Sequence, residues 1–182
     1  MTTGPGAERG VVVIGVGNEF RRDDGIGPEV LSRLRGQTAD GVRLVASDGE
    51  PARMIEAWTG ARLAVVIDAV LAAPPPPAQI SIPPAPSPST VPLHAPCPGR
   101  LHRIVVDRTP ATDVHTVSTH GLALGASVAL ARALDRMPER LVVHAVEVTD
   151  VGRGVGLSPA VAAAADALTA AVLRDLQPAT IP

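Results

Sequence analysis

Two uninterrupted apolar runs, Val11–Val16 and Leu63–Ile67, limit what this chain can fold into. Runs of this length without polar alternation read as strands buried on both faces, which is the condition of a parallel sheet covered by helices. Leu141–Val148 reads as a further strand. Val42–Val45 is a short strand, and Leu101–Val106 alternates in part and so suits a sheet edge. Between the runs the apolar period lengthens to that of a helix. Ile26, Val30 and Leu34 share one face, with Pro28 in the first turn, so that helix starts near Asp24 or Gly25. Met54, Ile55 and Trp58 follow Pro51. Val161, Ala165, Leu168, Val172 and Leu176 follow the Ser158-Pro159 start signal. Strand and helix alternate, so the fold class is α/β. Apolar residues are 46% of the chain and aromatics 1%, so Val, Leu, Ile and Ala must fill the core.

The same numbers remove several function classes. A net charge of −2 offers no footprint for nucleic acid, and stacking platforms are missing. No apolar run has the length of a membrane span, and Met1–Gly10 lacks a signal-peptide core, so the expectation is a cytoplasmic protein without membrane insertion. The single cysteine, Cys97, forms no intramolecular disulfide and no multi-cysteine zinc site, and it reads as an incidental loop thiol. Residues 1–10 read as a flexible tail and 11–178 as one α/β domain. Residues 74–98 hold more than half of the 19 prolines and form no helix or ladder, which makes them an inserted loop.

Chemistry concentrates where apolar runs end. After the first run come Gly15-Val16-Gly17-Asn18, then Asp23-Asp24-Gly25-Ile26-Gly27; the third strand ends at Asp68. His120 falls in the first turn of a helix capped by Ser118 or Thr119 and reaching about Leu134. The positive end of a helix disfavours imidazolium and leaves the neutral ring, the form that binds metal or accepts a proton. His94, His102, His115 and His144 have no comparable setting and read as structural or surface residues. In a parallel sheet the strand exits converge on one edge, so Asp24, Asp68 and His120 form an oxygen-and-nitrogen donor set that suits a first-row divalent ion. Acid–base work by the two carboxylates without metal is the alternative, as is helix capping by Asp23 and Asp24. A dinucleotide fingerprint is weaker, because Phe20 stands where its third glycine is needed.

These motifs, taken in order, resemble the [NiFe]-hydrogenase maturation proteases. The resemblance runs through Gly15-Val16-Gly17-Asn18, Asp23-Asp24-Gly25-Ile26-Gly27, Asp48-Gly49, Ile67-Asp68-Ala69-Val70, Pro98-Gly99, Ser118-Thr119-His120-Gly121-Leu122 and Gly156-Leu157-Ser158-Pro159. It implies a single three-layer domain with a twisted, mostly parallel five-stranded sheet flanked by helices. It also implies a cytoplasmic endopeptidase, acting as a monomer. Such an enzyme removes the C-terminal extension of a hydrogenase large-subunit precursor after nickel insertion. Asp24, Asp68 and His120 are then the catalytic, metal-contacting residues, nickel arrives with the precursor, and no organic cofactor is expected. Asp23 is expected to orient or cap. The proline-rich insertion departs from the family pattern and leaves two other readings: a non-catalytic homologue that binds a precursor or scaffold through that loop, and a nucleotide-binding α/β module.

Overall fold

The computed structural model describes residues 10–71, 97–106 and 121–177. The strands are β1 (Val11–Val16), β2 (Val42–Ser47), β3 (Leu63–Leu71), β4 (Leu101–Val106) and β5 (Arg140–Val148). They form one sheet in the order β2-β1-β3-β5-β4. β2, β1, β3 and β5 run parallel, and β4 pairs with β5 antiparallel at the edge its partial alternation predicts. The helices are α1 (Ile26–Leu34), α2 (Pro51–Trp58), α3 (Gly121–Ala133) and α4 (Pro159–Leu176). The fold is α/β, with the mixed, mostly parallel sheet between two helical layers. Among the described residues, no helix is long and apolar enough to cross a membrane.

Alternation along the central strands builds two cores. Val12, Ile14 and Val16 of β1, with Ala64 and Val66 of β3, pack against Met54 and Trp58 of α2 and Val128 of α3. Val13 of β1, with Val65 and Ile67 of β3, faces Ile26 and Val30 of α1 and Leu168 of α4 on the other side. Every residue of β3 from Leu63 to Val70 is buried, which explains why its sequence shows no polar alternation. Val161, Ala165, Leu168 and Val172 are the buried stripe of α4, as their spacing predicts.

Two expected boundaries shift. β2 runs on to Ser47, and β3 continues through Asp68 to Leu71. β3 stays a strand because β5 accompanies it to the end, with Leu71 opposite Val148. A 3-10 turn, Arg22–Gly25, precedes α1, so Asp24 lies just before the α-helix proper. Of the expected tail only Gly10 is described, and of the proline-rich insertion only Cys97 and Pro98; the rest of both lies outside the described residues.

Candidate functional site

The strand order reverses its direction of growth at β1. The chain goes from β1 to β2 on one side, then returns to place β3 on the other. The connections leaving neighbouring strands in opposite directions open a crevice at the carboxyl edge of the sheet, between β1 and β3. Asp24 and Asp68 both belong to this crevice. The 3-10 turn that carries Asp24 follows β1 and packs against β3. Asp68 is the first residue of β3 beyond the ladder with β1, which ends where Gly15 meets Ile67. Both side chains are buried, each 1% exposed. A buried carboxylate costs several kcal/mol unless it is hydrogen-bonded, paired or metal-bound.

Close backbone approach makes the turn possible. A Cβ at Gly17, which sits at φ +132°, would lie 1.9 Å from the Asp24 carbonyl oxygen. A Cβ at Gly27 would lie 2.3 Å from the Val16 carbonyl oxygen. Only hydrogen fits at either place. The turn then closes on itself: Arg21 N–H donates to the Asn18 carbonyl (3.0 Å), and Asp24 N–H to the Arg21 carbonyl (3.1 Å). Asn18 N–H donates to Asp24 Oδ2 at 3.1 Å. A phosphate cradle would need that N–H, so the glycine-rich turn serves a carboxylate here.

The two acids of the pair have different partners. Asp23 is fully buried. Its Oδ1 accepts from Ser158 N–H (2.6 Å) and its Oδ2 from the Ser158 hydroxyl (2.9 Å). Ser158 is the N-cap residue of α4, so Asp23 fastens the 3-10 turn to the start of that helix. Asp23 N–H also donates to the Asp150 carbonyl at 3.0 Å. Asp23 thus orients the turn, while Asp24 accepts from Asn18 N–H within it.

His120 lies outside the described residues, as do His94 and His115. The helix it precedes is described. α3 leads toward the amino edge, where β5 begins, so its first turn lies toward the carboxyl edge. Asp68 shares its strand face with Ala64 and Val66, which is the face α2 and α3 cover. No three His, Cys, Asp or Glu side chains gather as a metal cage among the described residues.

A second polar cluster was not legible as such. His102 of β4 bonds through Nε2 to Glu147 Oε1 (2.8 Å), and Glu147 Oε2 accepts from Cys97 N–H (2.9 Å). Burial pushes the Glu147 carboxyl up, but the Cys97 N–H, His102 and Arg100 outweigh it and hold the group below its ordinary value. The cluster clamps the start of β4 to the end of β5. His144 is buried, as a structural residue, against Asp175.

Residues 95–175 match the family model of HycI, the hydrogenase maturation protease. The likeness to that family model covers this segment, somewhat under half of the chain. The matched segment contains His120 but neither Asp24 nor Asp68. Solved structures extend the likeness over the sheet. The hydrogenase maturating endopeptidase HybD from E. coli superposes with a TM-score of 0.68 at 20% identity, covering 92% of this chain and 91% of that one. The [NiFe] hydrogenase maturation protease HybD from Thermococcus kodakarensis gives 0.65 at 18% identity, covering 92% and 99%. HycI from Thermococcus kodakarensis KOD1 gives 0.54 at 19%, covering 92% of each. At these identities the structural likeness is one of fold. No curated protein sequence matches the chain.

Proposed function

We propose that this protein is a hydrogenase maturation protease, a cytoplasmic endopeptidase that removes the C-terminal extension of a [NiFe]-hydrogenase large-subunit precursor after nickel has been inserted. The observation that carries the reading is the placement of two buried carboxylates, Asp24 and Asp68, at the β1/β3 crevice of the sheet. Their oxygens, with the imidazole of His120, make a donor set suited to a first-row divalent ion with open positions. His120 joins the set on the strength of its sequence position immediately before α3, whose first turn lies toward the same edge.

The nickel belongs to the substrate. Asp24, Asp68 and His120 complete the coordination of a metal already held by the precursor, and so bring the scissile bond to the crevice. Precursor without nickel lacks that bridging contact, which couples cleavage to metal loading. Hydrolysis adds water to the scissile carbonyl carbon, breaks the C–N bond and leaves a proton on the released amine. Asn18 N–H holds Asp24 in place throughout, and Asp23 holds the turn.

The test is the intact mass of nickel-loaded precursor after incubation with each purified, folded variant. Asp24→Asn, Asp68→Asn and His120→Ala each lose cleavage. Wild-type cleavage by all three overturns the assignment.

A further inference from the structure

The chain's single phenylalanine does not enter either core. Phe20 is 63% exposed, although the one tryptophan, Trp58, is fully buried. Val155 is 72% exposed. The two lie in different loops, one after β1 and one after β5, and backbone hydrogen bonds tie those loops together. Gly154 N–H donates to the Phe20 carbonyl (3.0 Å), and Arg22 N–H to the Gly154 carbonyl (2.9 Å). Asn18 Oδ1 accepts from Phe20 N–H at 2.9 Å, in the same turn that holds Asp24. An exposed aromatic side chain on a backbone fixed from both sides is ready to bind with little ordering cost.

Cations flank both residues along the chain. Arg21, Arg22 and Arg153 are all exposed, and none has an ion-pair partner among the described residues. Arg33, Arg53, Arg100 and Arg103 are each paired with a carboxylate. Arg22 adopts φ +50°, in the left-handed region that a side chain adopts at a cost. Its side chain crosses Gly154, where an added Cβ would come within 2.5 Å of Arg22 Nε. Of the exposed acids nearby, Asp150 turns Oδ1 to Gly152 N–H (3.0 Å), and Glu19 precedes Phe20.

We propose that Phe20 and Val155, with Arg21, Arg22 and Arg153, are the docking surface for the precursor chain beside its scissile bond. The segment that fits carries an apolar side chain against Phe20 and Val155, with carboxylate or carbonyl oxygens beside it for the guanidinium groups. This rests on the protease reading. Continuity with the site chooses the occupant, since a chain entering the crevice at Asp24 passes the turn that carries Phe20.

The test uses a purified hydrogenase large-subunit precursor, nickel-loaded for cleavage kinetics. Phe20→Ala is expected to raise KM about tenfold or more, the effect of removing an aromatic anchor, while cleavage persists at saturating precursor. Arg21→Glu/Arg153→Glu raises KM and flattens its dependence on salt between about 50 and 300 mM. Circular dichroism checks that each variant is folded. If wild type cleaves and both variants keep the wild-type KM, the docking surface is wrong and the protease reading stands. If wild type neither binds nor cleaves the precursor, both fall. A wild-type dimer that Phe20→Ala dissociates without changing KM makes this a self-association surface and also overturns the proposal.

Discussion

The two ends of α4 each meet a buried or half-buried carboxylate, and they hold it by different means. At the first turn, Asp23 accepts from the Ser158 N–H and hydroxyl. The amino end of a helix carries partial positive charge, so a carboxylate is stabilised there without a cation. At the last turn, Asp175 lies where the helix carries partial negative charge. There Arg103 Nε lies 3.0 Å from Oδ2, and His144 Nε2 lies 2.8 Å from the same oxygen. The Asp175 carboxyl is pushed up by burial, but Arg103 and His144 outweigh this and hold it below its ordinary value. Arg103 and His144 therefore hold Asp175 at the far end of α4. At the carboxyl edge, the N–H groups of Asn18 and Ser158 serve Asp24 and Asp23.

Substitutions separate the two ends. The largest effect is expected at the crevice itself, where Asp24→Asn or Asp68→Asn abolishes cleavage and leaves the fold. Asp23→Ala comes next. It strips a fully buried acceptor from Ser158 and is expected to cost roughly 2–4 kcal/mol of stability, read as a lower midpoint in urea unfolding. A midpoint equal to wild type would show that Asp23 does not fasten the turn to α4. The smallest effect belongs to the far end. Burial lowers the His144 pKa below its ordinary 6.5, against the opposing pull of Asp175. The unfolded chain therefore takes up a proton near pH 6.5 that the folded chain refuses. The stability tied to neutral His144 is complete above that pH and is lost as pH falls through the lowered folded value, by at most about 1.4 kcal/mol per pH unit. His144→Gln should unfold with less difference between about pH 7 and pH 5 than wild type does. An unchanged difference would remove His144 from the account.

Much of this molecule is legible in its sequence because burial on both faces leaves an unmistakable record. The runs Val11–Val16 and Leu63–Ile67 name the central strands, and the partial alternation of Leu101–Val106 names an edge. The end of β3 was less legible, since Asp68 looks like a terminator until β5 is seen beside it, with Ala145 opposite Asp68. The place of Asp23 and Asp24 before a helix suggests capping by both acids, and only the resemblance sets Asp24 apart from Asp23; the partner of Asp23 is not local. Ser158 is 135 residues away, and only the fold brings it there. Phe20 carried one signal, an aromatic residue in a polar glycine-rich turn of a chain with almost no aromatics. The loop beside it, which carries Val155, is 130 or more residues away in sequence, and only the fold brings the two loops together.

The central claim is that Asp24 and Asp68 read a metal carried by the precursor. Binding of wild type, Asp24→Asn and Asp68→Asn to nickel-loaded and nickel-free precursor tests it most directly. The account predicts that wild type binds the loaded form more tightly, and that both variants bind the two forms alike. Equal binding of loaded and nickel-free precursor by wild type would contradict it.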